Sequence, residues 1–120
     1  PVRDTAVIAF AGPLSNIVLA GALAVVVNFG LLPFLTSALV ILIQINVMLA
    51  VFNLVPIHPL DGSKILMALL PEETSYEYEK FMSKYGIFVL IFMLMRWNGA
   101  SPVSQLISPA IDFVMGVLLF

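Results

Sequence analysis

The sequence predicts an all-α, multi-pass membrane protein: a bundle of about four transmembrane segments forming a single domain over residues 1–120. Hydrophobic residues make up 62% of the chain and charged residues 10%, which is far from the composition of a soluble globular domain. Residues 5–60 contain no Lys, Arg, Asp or Glu, and a soluble domain needs charged faces over so long a stretch. The expected surroundings are therefore a lipid bilayer.

Two long apolar stretches open the chain. Residues 5–28 would form a helix of about 36 Å, which is enough to cross a hydrocarbon core of about 30 Å. Residues 29–33 carry turn signals, and a second span is predicted over residues 34–54. That span must end there, because Pro56 and Pro59 remove backbone donors and push the preceding residues out of helical geometry.

The second half of the chain is less uniformly apolar. Residues 63–70 are predicted to resume as a helix, and residues 71–84 hold six of the twelve charged residues, so this stretch is expected to face water. Residues 86–95 would measure only about 15 Å as a helix and span the membrane only if that helix extends beyond them. Residues 103–120 supply a last span of marginal length.

Composition also excludes some function classes. The net charge of −2 and the lack of a basic cluster argue against a nucleic-acid partner. Without cysteine, any metal needs oxygen or nitrogen ligands. Pro1 is neither an initiator Met nor the start of a signal peptide, which predicts that further residues originally precede it. Lys64, Lys80 and Lys84 lie between the predicted second and third spans, which favours the cytoplasmic side for that loop.

Residues 53–62 form a polar, proline-broken interruption between two apolar helical segments. Irregular backbone persists at membrane depth only where it is buried in protein or lines a wet cavity, so Asp61 is a candidate functional residue. Its carboxylate could bind Zn²⁺, and Gly62 would permit close approach. Alternatively, Asp61 or Ser63 caps the following helix. His58 is interpreted as structural, because the proline after it holds the chain extended.

A second set of small and polar residues lies in the two predicted spans. Gly12 and Gly21 are interpreted first as sites of close helix packing. Asn16 carries an amide that needs partners when buried, so it could hydrogen-bond the Asp61 loop or a peptide backbone. Asn46 and Asn53 are seven residues apart on one helix face and are interpreted as contacts between helices.

Two motifs in this chain resemble the site-2 protease family of intramembrane zinc metalloproteases, especially its compact bacterial and archaeal members. Their order and spacing fit that family, and the resemblance covers nearly the whole chain. The motifs are Gly12-Pro13-x-x-Asn16 in the first span and Asn53-x-x-Pro56-x-x-x-Leu60-Asp61-Gly62 at the end of the second.

The resemblance implies a function for the site. Asp61 would be the third protein ligand of a zinc ion, and Asn16 would lie near the substrate carbonyl as a binding or electrophilic group. Zinc would activate water to attack a peptide bond exposed by local unwinding of a membrane-protein substrate, in a prokaryotic cell membrane. The supporting residues of the two motifs would be Gly12, Pro13, Asn53, Pro56 and Gly62.

One part of the family pattern is missing. The other two zinc ligands of this family are the histidines of an H-E-x-x-H helix, whose glutamate is the general base, but the sole histidine of this sequence is His58. The chain is therefore expected to be the C-terminal part of a larger protease core and inactive alone. An upstream segment or a partner chain would supply the missing helix.

Two other interpretations stay open. One is a non-catalytic membrane scaffold or degenerate homologue. The other is an ion-coupled transporter, because an interrupted helix with an intramembrane carboxylate also describes transport sites, although the sequence shows no inverted repeat. The residues encoded before Pro1 distinguish the three: an H-E-x-x-H favours the protease, a natural start the scaffold, and a mirrored broken helix the transporter.

Overall fold

A computed structural model of the protein describes residues 2–57, 60–95, 99 and 101–120. Over these ranges the fold is all-α with no strand, as the sequence predicts. A short 3-10 turn, Pro33–Leu35, precedes the second helix. The helices are α1 (Val2–Asn28), α2 (Thr36–Asn53), α3 (Asp61–Leu69), α4 (Glu72–Leu94) and α5 (Pro102–Leu118).

Two segments have the length and apolar composition needed to cross a membrane, namely Arg3–Asn28 and Pro33–Asn53. The apolar helix Pro102–Leu118 is shorter. Large apolar side chains on the two long segments are exposed, Ile8 at 74% and Phe34 at 80%. The first two predicted spans thus have helical counterparts, while the number of four membrane segments and their interruption at the Asp-Gly loop stay predictions.

The fourth helix joins two stretches that differ in character. α4 is a single helix of 23 residues, about 34 Å long, and it includes both the charged stretch and most of residues 86–95. All six charged side chains of residues 71–84 are exposed. The apolar residues therefore form the second half of a helix that begins among charged residues.

The start of α3 corrects one expectation. Leu60, with extended backbone at φ −73° and ψ 156°, occupies the N-cap position and makes no side-chain capping bond. Asp61 is the first helical residue, and the Ser63 hydroxyl donates to the Leu60 carbonyl oxygen at 2.8 Å. The alternative that Asp61 or Ser63 caps this helix was wrong, because Leu60 occupies the N-cap position and the helix already includes both residues.

The packing of α1 on α2 depends on small residues. Ala20 and Ala24 of α1 are buried against Ile43 and Val47 of α2, and small side chains let helices in a membrane approach closely. α5 packs across this pair. The Asn28 amide donates to the Leu118 carbonyl oxygen at 2.6 Å, which joins the last turn of α5 to the end of α1.

A second buried cluster lies between the α2–α3 loop and the last two helices. Val55, Ile57 and Leu60 of the loop are buried together with Val103 of α5. The partly buried residues around them come mainly from α4. Three residues of the loop that precedes Asp61 are therefore covered by protein, whereas Leu54 and Pro56 are exposed. The α4 residues in this cluster are Met82, Val89, Leu90 and Met93.

Candidate functional site

The loop between α2 and α3 is a succession of tight turns. The Ile57 amide donates to the Val55 carbonyl oxygen at 2.8 Å, and the Leu60 amide donates to the Ile57 carbonyl oxygen at 2.7 Å. These bonds pair backbone groups within the loop, while the Leu54 and Val55 amides donate to the Val51 and Phe52 carbonyl oxygens at the end of α2, each at 3.1 Å. This loop connects Asn53, the half-buried last residue of α2, to the start of α3 at Asp61.

Gly62 allows the first turn of α3 to lie directly on this backbone. A β-carbon built on Gly62 would stand 2.1 Å from the Leu54 carbonyl oxygen and 2.4 Å from that of Val55. Both distances are far inside van der Waals contact, and the obstructing atoms belong to the main chain. Only glycine fits at this position without a shift of the loop or the helix.

The carboxylate of Asp61 lies beside Gly12 of α1. A β-carbon built on Gly12 would be 3.5 Å from Asp61 Oδ2, so only a hydrogen atom separates the α1 backbone from the carboxylate on this side. Asp61 is half-buried. The packing of α1 on α3 thus brings together the glycine of the first motif and the aspartate of the second.

The other residues of the first motif follow on the same helix. Asn16 is half-buried and lies one turn beyond Gly12 on the same face of α1. Pro13 is fully buried inside α1, and it has no amide hydrogen to donate to the preceding turn. The Ser15 hydroxyl donates to the Gly12 carbonyl oxygen at 2.7 Å.

Tyr78 is a residue near the site that sequence reasoning missed. Its hydroxyl donates to the carbonyl oxygen of Pro56, the exposed proline in the middle of the loop. Burial raises the pKa of the Tyr78 hydroxyl above its usual value of 10.0. A signal was available, because Tyr78 continues an apolar stripe that recurs at helical spacing along α4.

The described part of the chain supplies one plausible metal ligand. Within it, no group of three or more His, Cys, Asp or Glu side chains could hold a metal ion. His58 lies outside the described residues. The half-buried carboxylate of Asp61, bordered by a glycine, suits one ligand of a zinc ion, which accepts carboxylate oxygen alongside imidazole nitrogen. A complete site requires ligands beyond these residues.

Comparison with known proteins gives a consistent family. Residues 32–95 match peptidase family M50, and this range includes the Asp-Gly motif. Two proteins of Streptococcus pyogenes, from serotype M3 (strain SSI-1) and serotype M1, each named "Putative zinc metalloprotease", are 31% identical to this chain over 70 residues. The match covers 53% of this chain and 17% of each relative, so it spans under a fifth of their length. No solved structure matches.

Proposed function

This chain belongs to peptidase family M50, the family of the site-2 proteases, and we propose that it supplies the aspartate ligand of an intramembrane zinc metalloprotease. The parent protein hydrolyses peptide bonds of membrane-protein substrates. The observation that carries this proposal is the position of the Asp61 carboxylate against Gly12, because it joins the two motifs of the family pattern at one place.

Asp61 is the metal-binding group of this chain. It is the first residue of α3, so its carboxylate lies at the N-terminal end of that helix. Its half-burial beside Gly12 limits the rotamers it can adopt and leaves one side free of bulky atoms. Gly62 keeps α3 close to the loop, so it fixes where this carboxylate stands.

Zinc, when bound, would polarise the substrate carbonyl and lower the pKa of a bound water. The remaining ligands and the general base are proposed to come from an H-E-x-x-H helix, in an upstream segment or a partner chain. The residues of this chain would hold one face of the metal and shape the cavity around it. This chain alone is proposed to be inactive.

Asn16 is proposed to orient the substrate. Its amide can donate a hydrogen bond to a peptide carbonyl oxygen, and a donor aimed at the position where negative charge develops stabilises the transition state. It stands one helical turn from Gly12 on the same face of α1, and Gly12 borders the Asp61 carboxylate. Pro13, Asn53 and Pro56 would support the two backbones that carry these side chains.

The setting of the reaction is proposed to be the interior of a prokaryotic cell membrane, with this chain as a multi-pass part of it. The two long apolar helices and their exposed large side chains support this setting. A proline-broken loop at such a depth would line a wet cavity, which hydrolysis requires. The partners would be the lipid bilayer and a transmembrane peptide substrate.

A zinc measurement tests the proposal. The full-length parent protein and this chain alone would be purified in detergent, and bound zinc per chain would be measured for wild type, Asp61→Asn and Asp112→Asn. Asp112 is an exposed carboxylate on α5 and serves as the matched control. We expect near-stoichiometric zinc in the parent protein, most of it lost in Asp61→Asn and none of it lost in Asp112→Asn.

The opposite result would redirect the interpretation. If the wild-type parent protein binds no zinc, the protease proposal fails and a non-catalytic scaffold becomes the better description. If it binds zinc equally well with Asn at position 61, the metal is held elsewhere. Cleavage of a transmembrane peptide by the parent protein, lost on the same substitution, would extend the result from binding to catalysis.

A further inference from the structure

One face of α4 is directed toward the loop that precedes Asp61. The positions on this face recur at intervals of mostly three or four residues, and each of them is half-buried or buried, whereas the other positions of α4 are exposed. A stripe of this kind is the contact face of a helix. The stripe consists of Ser75, Tyr78, Met82, Gly86, Val89, Leu90 and Met93.

The polar members of this stripe make side-chain hydrogen bonds to the loop before α3 and to the last turns of α3. The Tyr78 hydroxyl donates to the carbonyl oxygen of Pro56, five residues before Asp61. The Ser75 hydroxyl donates to the Met67 carbonyl oxygen at 2.9 Å, in the last turns of α3. The helix that begins with the metal-binding residue is therefore held to α4 from the loop before it and near its end.

The bond to Pro56 acts on an exposed residue of the loop. Val55 and Ile57 are buried, but the Pro56 side chain between them is exposed. A hydrogen bond to its carbonyl sets the rotation of the peptide group between Pro56 and Ile57. That peptide group leads directly into the turns that place Leu60 at the cap and Asp61 at the first position of α3.

Because α3 lies directly on the loop at Gly62, a movement of the loop would also move the Asp61 carboxylate. The carbonyl oxygens of Leu54 and Val55 lie against Gly62, so a shift in this backbone moves the first turn of α3. Asp61 precedes Gly62 and lies 3.5 Å from the β-carbon position of Gly12. A displacement of a few tenths of an ångström in the loop would therefore change the position of its carboxylate.

We propose that Tyr78 is a positioning residue, whose hydrogen bond to Pro56 sets the loop and thereby the orientation of the Asp61 carboxylate for metal binding. This inference rests on the proposed function. Tyr78 does not touch the metal or the substrate. A tyrosine hydroxyl is protonated at neutral pH, so it is a constant donor there. Outer residues that orient a metal ligand commonly change metal affinity by about 10- to 100-fold.

The experiment uses the full-length parent protein with Tyr78→Phe, which keeps the ring and removes the donor. The matched control is Tyr76→Phe on the same helix, where the side chain is 67% exposed. Three quantities would be measured for each: zinc affinity by chelator competition, melting temperature without metal, and hydrogen exchange of the Ile57 and Leu60 amides without metal.

We expect Tyr78→Phe to weaken zinc binding by about 10-fold and to speed exchange of these two loop amides, with the metal-free melting temperature close to wild type. Tyr76→Phe should leave all three quantities unchanged. For cleavage of a transmembrane peptide at saturating zinc, kcat should fall while KM stays the same, because the displaced carboxylate affects the chemistry and not the binding of the peptide.

Two results would overturn the inference while leaving the proposed function intact. One is wild-type zinc affinity in Tyr78→Phe. The other is weaker zinc binding together with a lower metal-free melting temperature but unchanged exchange of the loop amides, which would make the residue a general stabiliser. If the wild-type protein binds no zinc, the proposed function itself fails, and the inference fails with it.

Discussion

The α1–α2 pair and the segment from the end of α2 to the start of α4 are held together by different means. Between α1 and α2 the buried residues are apolar and small residues allow close contact. Between α2 and α4 the chain is held by turns, by the fit at Gly62 and by hydroxyl groups bonded to carbonyl oxygens. Hydrogen bonds are directional whereas apolar contacts are not, so a site that needs a fixed carboxylate is expected in the second region.

The largest effect is expected from Gly62→Ala. The new methyl group would stand 2.1 Å from the Leu54 carbonyl oxygen, and main-chain atoms cannot yield as a flexible side chain does. Overpacking of this kind costs about 3 kcal/mol or more. Unfolding by denaturant in detergent would measure the loss, with Gly21→Ala as control, since nothing lies within 4 Å of the added atom there. Equal free energies of unfolding for the two variants would contradict the close approach of Gly62 to the Leu54 carbonyl group.

A smaller effect is expected in the apolar pair. Ala20 has no exposed surface, so Ala20→Leu forces α1 and α2 apart at a cost of about 1–3 kcal/mol. Ala22, an exposed neighbour on α1, supplies the control as Ala22→Leu, which should be nearly neutral. If Ala20→Leu lowers the free energy of unfolding but leaves zinc binding by the parent protein unchanged, the α1–α2 contact and the metal-binding region are independent of each other. Loss of both would mean that the two regions are not separable.

The smallest effect is a pH dependence confined to the polar region. The pKa of Tyr78 is raised by burial, so the folded state holds this proton more tightly than the unfolded state. The stability that this group contributes is present below pH about 10 and falls as the pH rises through the folded pKa. Melting temperatures from pH 8 to 11 would show a decline that is shallower in Tyr78→Phe. An identical decline of the melting temperature in both proteins would argue against a raised pKa of Tyr78.

Features with a local cause could be predicted from the sequence. The helices follow from long apolar runs, the end of α2 follows from Pro56 and Pro59, and the exposed start of α4 follows from its charged residues. The Asp-Gly loop was also recognisable, because prolines and a carboxylate stand out in an apolar chain. One alternative drawn from the sequence was wrong: Asp61 is the first residue of α3 and not its N-cap. The two positions differ by one residue, and the path of the backbone at Leu60 determines which of them Asp61 occupies.

The sequence by itself determined an all-α protein with an acidic residue in a proline-broken loop, and its two motifs pointed to the family. Only the tertiary structure decided that Gly12 lies against Asp61, that Gly62 rests on the carbonyl groups of Leu54 and Val55, and that Tyr78 bonds to Pro56. The reason is physical. Helix periodicity and proline breaks act over a few neighbouring residues, whereas these contacts join distant segments and depend on how closely the helices pack.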